Sequence, residues 1–293
     1  MIMPEGPGNV KRNRKFILLA AIPVIFASAL GAVEFQVRLS GGLNHFGLKE
    51  VNSALRGWED GLRKDAAAQG WGVEGGLISG FHRGFEFQAE LLFLFTPRIG
   101  ISIGSGYIYK ETLEEDFPLT IVKGPTTYVY ARPTKISAVP LDLTAYYFLP
   151  LSPSFSLYLK AGAGHLSARY VDREANKKLE DNRYVYPTLA FAKADGPAYH
   201  AGIGLAFQLE PFMGFFLEAS GRLARPGPFS GEDKAGSLGS LYYFEEYNPA
   251  LDFWQARIQV LAAAPAGERI RSAKIAEVDL SGATVRVGIH LKF

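Results

Sequence analysis

The sequence predicts an all-β protein: an eight-stranded antiparallel up-and-down transmembrane β-barrel with long extracellular loops. Three observations support this prediction. Side chains alternate with a period of two along eight segments, and the second face of these segments is charged or rich in glycine. Short turns also alternate with long polar connections along the chain.

The N-terminus predicts a secretory signal peptide over residues 1–32. A basic cluster at Lys11–Lys15 precedes an uninterrupted apolar run at Phe16–Phe26, and small residues follow it. This order of segments is typical of signal peptides, and we expect cleavage between Ala29 and Ala32. The mature chain, residues 33–293, is then a single barrel domain.

A retained transmembrane anchor is the alternative interpretation of the same segment. The uncharged stretch Phe16–Val33 is 18 residues long, which is near the lower limit for a helix that spans a bilayer. Pro23 and the small residues at the end of the stretch favour cleavage.

Strand periodicity is clearest at the C-terminus. Val285, Val287 and Ile289 alternate with polar residues or glycine, so one face of the segment is wholly apolar. The same alternation runs through seven further segments, 35–39, 85–95, 99–103, 139–147, 155–163, 199–209 and 215–219. Each is long enough, with its flanks, to cross a bilayer as a tilted strand.

The charged and glycine-rich face of the strands distinguishes a membrane barrel from a soluble one. Eight strands enclose a space that side chains just fill, too small for so many Phe, Tyr and Leu residues. We therefore expect the apolar face to meet lipid and the polar face to fill the interior. The predicted lumen charge network consists of Arg38, Glu86, Glu90, Asp142, Lys160, Glu218, Arg222 and Arg286.

The inward positions hold six acids and six bases when Glu34, Glu210, Lys110 and Lys292 are included. Such a balance indicates paired charges that fill a narrow interior, because an unpaired buried charge is costly. A pore lining is the alternative. Inward apolar residues, Leu92, Leu94, Ile108 and Phe148, keep open a narrow channel for small or apolar solutes.

Connections between the strands are of two kinds. Short turns lie at 96–98, 151–153 and 210–211, and long polar segments lie at 45–70, 111–134, 170–196 and 226–280. Outer-membrane barrels have short periplasmic turns and long extracellular loops. Within the first long segment, Val51–Gln69 has helical spacing, and we expect it to pack on the barrel rim rather than lie on the membrane.

Two further segments, Trp71–Phe81 and Trp254–Val260, also alternate. Counting them gives ten strands as the alternative. That count would place the short turns outside the cell, so we interpret both segments as strand extensions beyond the outer leaflet.

The C-terminus carries a family resemblance. Arg286, Gly288, Leu291 and the terminal Phe293 fill the specified positions of the C-terminal assembly signal of outer-membrane barrels. The chain resembles the small barrels exemplified by the OmpA membrane domain, OmpX and OmpW. The resemblance implies a monomer in the bacterial outer membrane, in contact with membrane lipid and lipopolysaccharide. It also implies assembly through periplasmic chaperones and the barrel-assembly machinery.

One pair of residues suggests chemistry. His165 and Ser167 resemble the His-x-Ser pair of the lipid A deacylases among small barrels, where a base activates a hydroxyl. The Asn that follows in that family is Ala168 here, and the nearest acid that could orient the His is Glu180. We expect an interfacial His and Ser without catalytic function.

Other functional classes lack support. The chain has no Cys, its His residues are scattered, and its glycine pairs lie on strands, so we expect no metal site and no cofactor. The basic surplus lies in the first 32 residues, so no basic patch indicates nucleic acid. Tyrosines near strand ends, Tyr107, Tyr109, Tyr146, Tyr147 and Tyr199, are interpreted as interfacial girdles.

The expected function is therefore non-enzymatic, a structural or surface-interaction role through the long extracellular loops. A narrow channel and an outer-membrane lipid-modifying enzyme are the alternatives.

Overall fold

The structure is a computed structural model that describes residues 34–76, 82–112, 118–180, 183–184 and 188–293. The expected signal peptide lies outside the described residues. In chain order the elements are β1 (Glu34–Phe46), α1 (Lys49–Ala68), β2 (Gly72–Gly75), β3 (Arg83–Thr96), β4 (Ile99–Glu111), β5 (Leu119–Lys123), β6 (Thr126–Ala131), β7 (Thr134–Ser152), β8 (Phe155–Lys178), β9 (Arg183–Tyr184), β10 (Thr188–Glu210), β11 (Met213–Ala224), β12 (Ser230–Glu232), β13 (Leu238–Asn248), β14 (Phe253–Leu261), β15 (Ile270–Ile275) and β16 (Gly282–Lys292).

Eight of these strands close a ring. They pair antiparallel in the order β1, β3, β4, β7, β8, β10, β11 and β16, and β16 pairs back with β1. Every segment that the sequence predicts as a barrel strand lies in this ring. The eight-stranded prediction is confirmed, and the ten-stranded alternative is wrong.

The ring is apolar outside and polar inside. On β3, for example, Phe85 and Phe87 are 55% and 57% exposed, whereas Glu86 between them is fully buried. Alternate side chains of a strand point to opposite faces, so the sequence period of two becomes this inside-out polarity. A soluble barrel has the reverse arrangement, and the described ring is therefore built for contact with lipid.

Three ring strands continue well beyond the length that crosses a bilayer. β7 has 19 residues, β8 has 24 and β10 has 23, compared with about 9–11 for a tilted transmembrane strand. The segment 170–196, expected as a polar loop, therefore consists mostly of the upper parts of β8 and β10. The extended strands form a wall that rises above the ring.

The polarity of these strands reverses along their length. In the upper part of β8 the outward Arg169 is exposed and the inward Tyr170 is buried, and on β10 the outward Lys193 is exposed and the inward Ala192 is buried. Outward side chains thus change from apolar to polar where the strands leave the lipid. This reversal is why the sequence pattern resembled a loop.

Two smaller sheets attach to this wall. β2, β5 and β6 extend from the upper end of β8, and β12 to β15 extend from β10. β14 pairs with β13, and β2 pairs with β5. The expectation that the segments containing β2 and β14 are extensions of ring strands is wrong, because both are separate strands. Residues 77–81 of the first segment lie outside the described residues.

Helix α1 covers the mouth of the ring at the end opposite the short turns. Its buried face includes Val51, Leu55 and Trp58, and it packs on β14. The contact is close at Gly57, where an added Cβ would lie 2.6 Å from the carbonyl oxygen of Ala256. Glycine is the residue that allows such an approach between two backbones. The helix was expected on the rim, and it packs there against loop strands and inward side chains. Within the described part of the chain, no helix has the length and apolar character needed to span a bilayer.

Candidate functional site

The middle of the lumen contains a continuous chain of ion pairs. Arg222 contacts Glu86, Glu86 also contacts Arg286 at 3.1 Å, and Arg286 reaches Glu218. Lys160 then lies 3.0 Å from Glu218 and 3.5 Å from Glu90. Charges of opposite sign thus alternate through six side chains from β3, β8, β11 and β16. All six are at most 8% exposed.

Neutral side chains complete the hydrogen bonding of this chain. Tyr146 Oη donates to Glu90 at 2.7 Å, Tyr158 Oη donates to Glu218 at 3.1 Å, and Thr284 Oγ1 donates to Glu86 at 3.1 Å. Buried charges are tolerated when they are both paired and hydrogen-bonded, and these six meet both conditions. The arrangement holds the charges in place, although Glu90 Oε1, Arg222 Nε and Arg286 Nε have no hydrogen-bond partner among the described atoms.

Two predicted network residues, Arg38 and Asp142, lie in the lumen without joining this chain. Both carboxylate oxygens of Asp142 lack a hydrogen-bond partner among the described atoms, and His200 Nδ1 lies 3.9 Å from Asp142 Oδ1. Arg38 makes no ion pair with any described carboxylate, although it is opposite Glu90 in the strand register. It is held instead by aromatic rings.

The balance of six acids and six bases needs correction. Four acids and four bases are buried in the lumen. Glu34 and Glu210 are exposed at the end with short turns, where Lys292 lies 3.4 Å from Glu34. Lys110 is only half-buried. Inward parity alone does not fix depth in the barrel, and the strand ends carry charges that reach water.

An aromatic layer fills the lumen below the ion pairs, towards the short turns. The rings of Tyr146, Phe148 and Tyr158 contact one another with centroids 5.5–5.8 Å apart. The remaining members of this layer are Leu92, Leu94, Ala206 and Phe216. The apolar residues that suggested a channel, apart from Ile108, therefore pack together across the lumen.

An apolar layer fills the lumen above the ion pairs. Inward side chains of the ring, among them Ile108, Ile136 and Leu166, form one buried cluster with residues of α1 and the loop strands. From α1 and its preceding turn, Leu48 and Val51 enter this cluster and are completely buried. The helix and loops thus close the end of the ring opposite the short turns as a core-like plug.

A cavity of about 450 Å³ lies above the plug, in the assembly formed by α1 and the loop sheets. Its lining combines Trp58 with charged side chains of both signs. Arg132 forms a bidentate pair with Asp172, with nitrogen–oxygen distances of 3.0 and 2.6 Å. Lys234 donates to Glu174 at 3.1 Å, and Trp58 Nε1 donates to the same carboxylate at 3.0 Å.

The electrostatics of this cavity favour ionised side chains. Burial alone would raise the pKa of Glu174, but the hydrogen bond from Trp58 and the Lys234 ammonium outweigh burial and lower the pKa below its ordinary value. Burial likewise opposes the charge of Arg132, yet the Asp172 carboxylate raises its pKa further above the ordinary range. The cavity wall thus carries fixed charges of both signs and offers both hydrogen-bond donors and acceptors.

The candidate catalytic pair, His165 and Ser167, lies on the outer surface of β8. The structure brings an acid to it that the sequence analysis missed: Asp195 on β10, opposite Ser167 in the register. Glu180 lies elsewhere and accepts a hydrogen bond from the backbone nitrogen of Thr127. Cross-strand pairing is a long-range contact, which explains why spacing along the chain did not reveal Asp195.

The order of these contacts differs from that of a catalytic triad. Ser167 Oγ donates to Asp195 Oδ1, and His165 Nε2 lies 3.7 Å from the same oxygen. In a triad the imidazole lies between hydroxyl and carboxylate, so that it can take the hydroxyl proton. Here the carboxylate holds the hydroxyl, and the His165 and Asp195 side chains are 60% and 61% exposed.

Residues of the C-terminal signal occupy the last ring strand. Phe293 stacks on Phe35 of β1 with ring centroids 4.9 Å apart, and its backbone nitrogen donates to the Phe35 carbonyl at 3.0 Å. Gly288 lies against the Phe216 ring, where a side chain would clash. Arg286 belongs to the ion-pair chain, and Leu291 is half-buried opposite Val37.

The tyrosines divide into two groups. Tyr107, Tyr147 and Tyr199 face outward and are 40–57% exposed, as girdle residues would be. Tyr146 is 2% exposed and lies in the lumen, so its assignment to a girdle is wrong. Tyr158 is also an inward residue that the sequence analysis missed. Both share the strand parity of the predicted charges, Asp142 on β7 and Lys160 on β8, and this parity was the available signal.

The outer surface shows which environment the ring occupies. Large apolar side chains cover it on every ring strand, and outward Tyr residues lie among them. Examples include Leu43, Phe87, Ile101, Leu141, Leu159, Ile203, Leu217 and Val287, all at least 40% exposed. Such a surface is stable only in lipid, and a closed ring leaves no strand edge unpaired there. The chain is an outer-membrane β-barrel.

Comparisons with solved structures are in line with this barrel architecture. Neisserial surface protein A is 7% identical, with a TM-score of 0.35 and coverage of 89% of this chain and 99% of that chain. OprG from Pseudomonas aeruginosa is 10% identical, with a TM-score of 0.40 and coverage of 89% and 96%. A major outer membrane protein from Thermus thermophilus is 13% identical, with a TM-score of 0.43 and coverage of 89% and 100%.

At such low identities these likenesses say nothing of function, and the fold of this barrel rests on its own strand register and polarity. No family model and no curated protein sequence matches the chain. Among the described residues, no group of three or more His, Cys, Asp or Glu side chains could hold a metal ion.

Proposed function

We propose that this outer-membrane barrel is closed and non-enzymatic, and that it presents a folded loop assembly for interactions at the cell surface. One observation supports the proposal above all: the aromatic layer, the ion-pair chain and the apolar plug follow one another along the lumen. An eight-stranded barrel has room for little besides such side chains. The features available for binding at the cell surface then lie in the loop assembly.

The loop assembly has the character of a recognition surface. It is built from one helix and two small sheets, and it contains the cavity of about 450 Å³. Concave sites with an aromatic side chain and a few oriented polar groups are typical of small-ligand binding. Trp58, the Arg132–Asp172 pair and the Lys234–Glu174 pair supply these groups. We propose that surface interactions involve this assembly.

Two alternatives have weaker support. The apolar residues that would line a narrow channel, Leu92, Leu94 and Phe148, pack with aromatic neighbours across the lumen. The hydroxyl of Ser167 is bonded to a carboxylate rather than to an imidazole, which is unfavourable for a lipid-modifying nucleophile.

Display of the loop assembly can be tested by single-cysteine labelling, because the natural chain has no Cys. Ala250→Cys lies in the exposed turn between β13 and β14, and Ser154→Cys lies in the exposed short turn between β7 and β8. On intact cells, we expect a membrane-impermeant maleimide to label the first variant and leave the second unlabelled. Both should react after lysis. Labelling of Ser154→Cys alone on intact cells would refute the proposed orientation.

A further inference from the structure

A second cavity, of about 270 Å³, opens at the end of the barrel that carries the short turns. It lies below the aromatic layer, at the end of the barrel opposite to the plug and the loop assembly. Its apolar wall includes Leu94, Phe148 and Ala206, and its polar wall includes Arg38 and Lys292. In the orientation proposed above, this cavity is a periplasmic vestibule.

Arg38 is the unusual member of this wall. It is only 2% exposed, and its Nη2 donates to Tyr158 Oη at 2.7 Å. Its Nε and Nη1 have no hydrogen-bond partner among the described atoms. The aromatic rings of Phe216, Tyr158 and Tyr146 lie 4.0, 4.6 and 5.0 Å from its guanidinium carbon.

The rings compensate for part of the buried charge, since a guanidinium over an aromatic face is attracted to it. They do not satisfy the N–H groups of Nε and Nη1. A buried donor left without an acceptor is costly, and the cost is larger for a charged group. Nε and Nη1 of Arg38 therefore lack an acceptor. A guanidinium presents its donors in one plane, and the oxygens of a carboxylate or phosphate match that geometry.

The charges around the vestibule fit the same type of ligand. Its lining contains two cationic side chains, Arg38 and Lys292, and no carboxylate among the described lining residues. Glu34 lies near the opening, where it contacts Lys292 at 3.4 Å and accepts a hydrogen bond from Gln36. This carboxylate, 44% exposed in its side chain, pairs with Lys292 at the rim, and Nε and Nη1 of Arg38 have no acceptor among the described atoms.

The volume is also sufficient. A water molecule has a share of about 30 Å³ in the liquid, so the vestibule is several times larger than one water. We propose that the periplasmic vestibule binds a small oxyanion, a phosphate or carboxylate group, through the free N–H groups of Arg38 with Lys292 at the entrance. This binding site is separate from the surface interactions of the loop assembly.

The test is isothermal titration calorimetry of the full mature chain folded in detergent, with inorganic phosphate and acetate as probes at constant ionic strength in sodium chloride. We expect saturable binding of at least one probe to the wild-type protein. Arg38→Met should weaken it about tenfold or more, as expected for lost charge-assisted hydrogen bonds.

Arg38→Met could disturb folding, so a second variant fills the cavity without removing a charge. Ala206→Leu places a larger side chain in the vestibule, and Ala201→Leu makes the same change on the lipid-facing side of the same strand. We expect Ala206→Leu to abolish binding and Ala201→Leu to retain it. No saturable binding of either probe to the wild type, or equal binding by Ala206→Leu, would overturn the proposal.

Discussion

Glu86 is the side chain on which the lumen network depends most. It lies between Arg222 and Arg286, accepts a hydrogen bond from Thr284, and is completely buried. The pair that it forms with Arg222 joins β3 to β11, two strands that are not neighbours in the ring. Such pairs specify how the interior is filled more than they add net stability, because desolvation offsets most of the attraction.

This view predicts a particular pattern of stabilities. Arg222→Ala should destabilise the barrel by about 3–5 kcal/mol, because it removes one partner of a buried pair. The double variant Arg222→Ala with Glu86→Ala should be more stable than that single variant, since no unpaired charge is left at the site. The measurement is the free energy of unfolding in urea, with the protein in lipid vesicles.

The half-exposed pair of Lys292 and Glu34 supplies the control. Glu34→Gln should change the free energy of unfolding by no more than about 1 kcal/mol, as for other solvent-exposed pairs. A double variant at Arg222 and Glu86 whose loss equals the sum of the two single losses would show that the two side chains are not coupled and would contradict this view.

The outer surface allows a second prediction at the level of single residues. Because Ser167 donates to Asp195 rather than to His165, we expect no hydrolysis of lipid A. The protein is expressed in a strain with unmodified lipid A, and the mass of the lipid is measured. Wild type and the variants His165→Ala and Ser167→Ala should give the same mass. Loss of an acyl chain that disappears in both variants would establish an enzyme.

Several residues of the site could be predicted from the sequence, and others could not. Parity along a strand identifies which side chains share a face, so it places Glu86, Glu90 and Glu218 inside the ring. It does not tell which charges meet across the lumen. Arg38 has the parity of its network neighbours but lies among aromatic rings, because the distance of each residue from the barrel end depends on strand tilt and register.

Among the elements, strand β16 combines two roles. It closes the ring between β1 and β11, and its final residues match the predicted assembly signal. The Phe293 ring lies outside on Phe35 and is 67% exposed. An exposed terminal aromatic adds little to the barrel core, which suggests that its contribution is to assembly.

Deletion of Phe293 should therefore slow insertion and leave protease-sensitive chain in the periplasm. The fraction folded is measured over time by the heat-dependent shift of the band on a gel. Phe293→Tyr keeps an aromatic terminus and should insert normally. Phe35→Ala removes the stacking partner while keeping the signal, and it should also insert normally. A Phe293 deletion that inserts at the wild-type rate would show that the signal is dispensable.

The elements that lie in the lipid were predicted more accurately than those above it. The eight ring segments and α1 follow from periodicity because one face of each meets a single environment. Above the membrane, β8 and β10 turn their apolar face inward onto Leu55 and other loop residues. A strand whose two faces exchange polarity midway has no constant pattern, and its upper half therefore resembled a loop.

At the scale of the whole molecule, two kinds of core are joined end to end. Inside the lipid the ring has charged and aromatic contents, and above it the loops pack round an ordinary apolar core that continues into the ring. The two cavities lie at opposite ends, with the filled lumen between them. In the proposed orientation, one cavity faces the cell surface and the other faces the periplasm.

The central claim is that the lumen is closed by its own side chains. The most direct test is the current through planar lipid bilayers that contain the purified wild-type protein, with vesicle fusion monitored independently by a pore-forming antibiotic. Because the aromatic layer, the ion-pair chain and the apolar plug follow one another along the lumen, we expect no steady ionic current at moderate voltage. A stable, reproducible conductance from wild-type protein would contradict the account and identify the barrel as a channel.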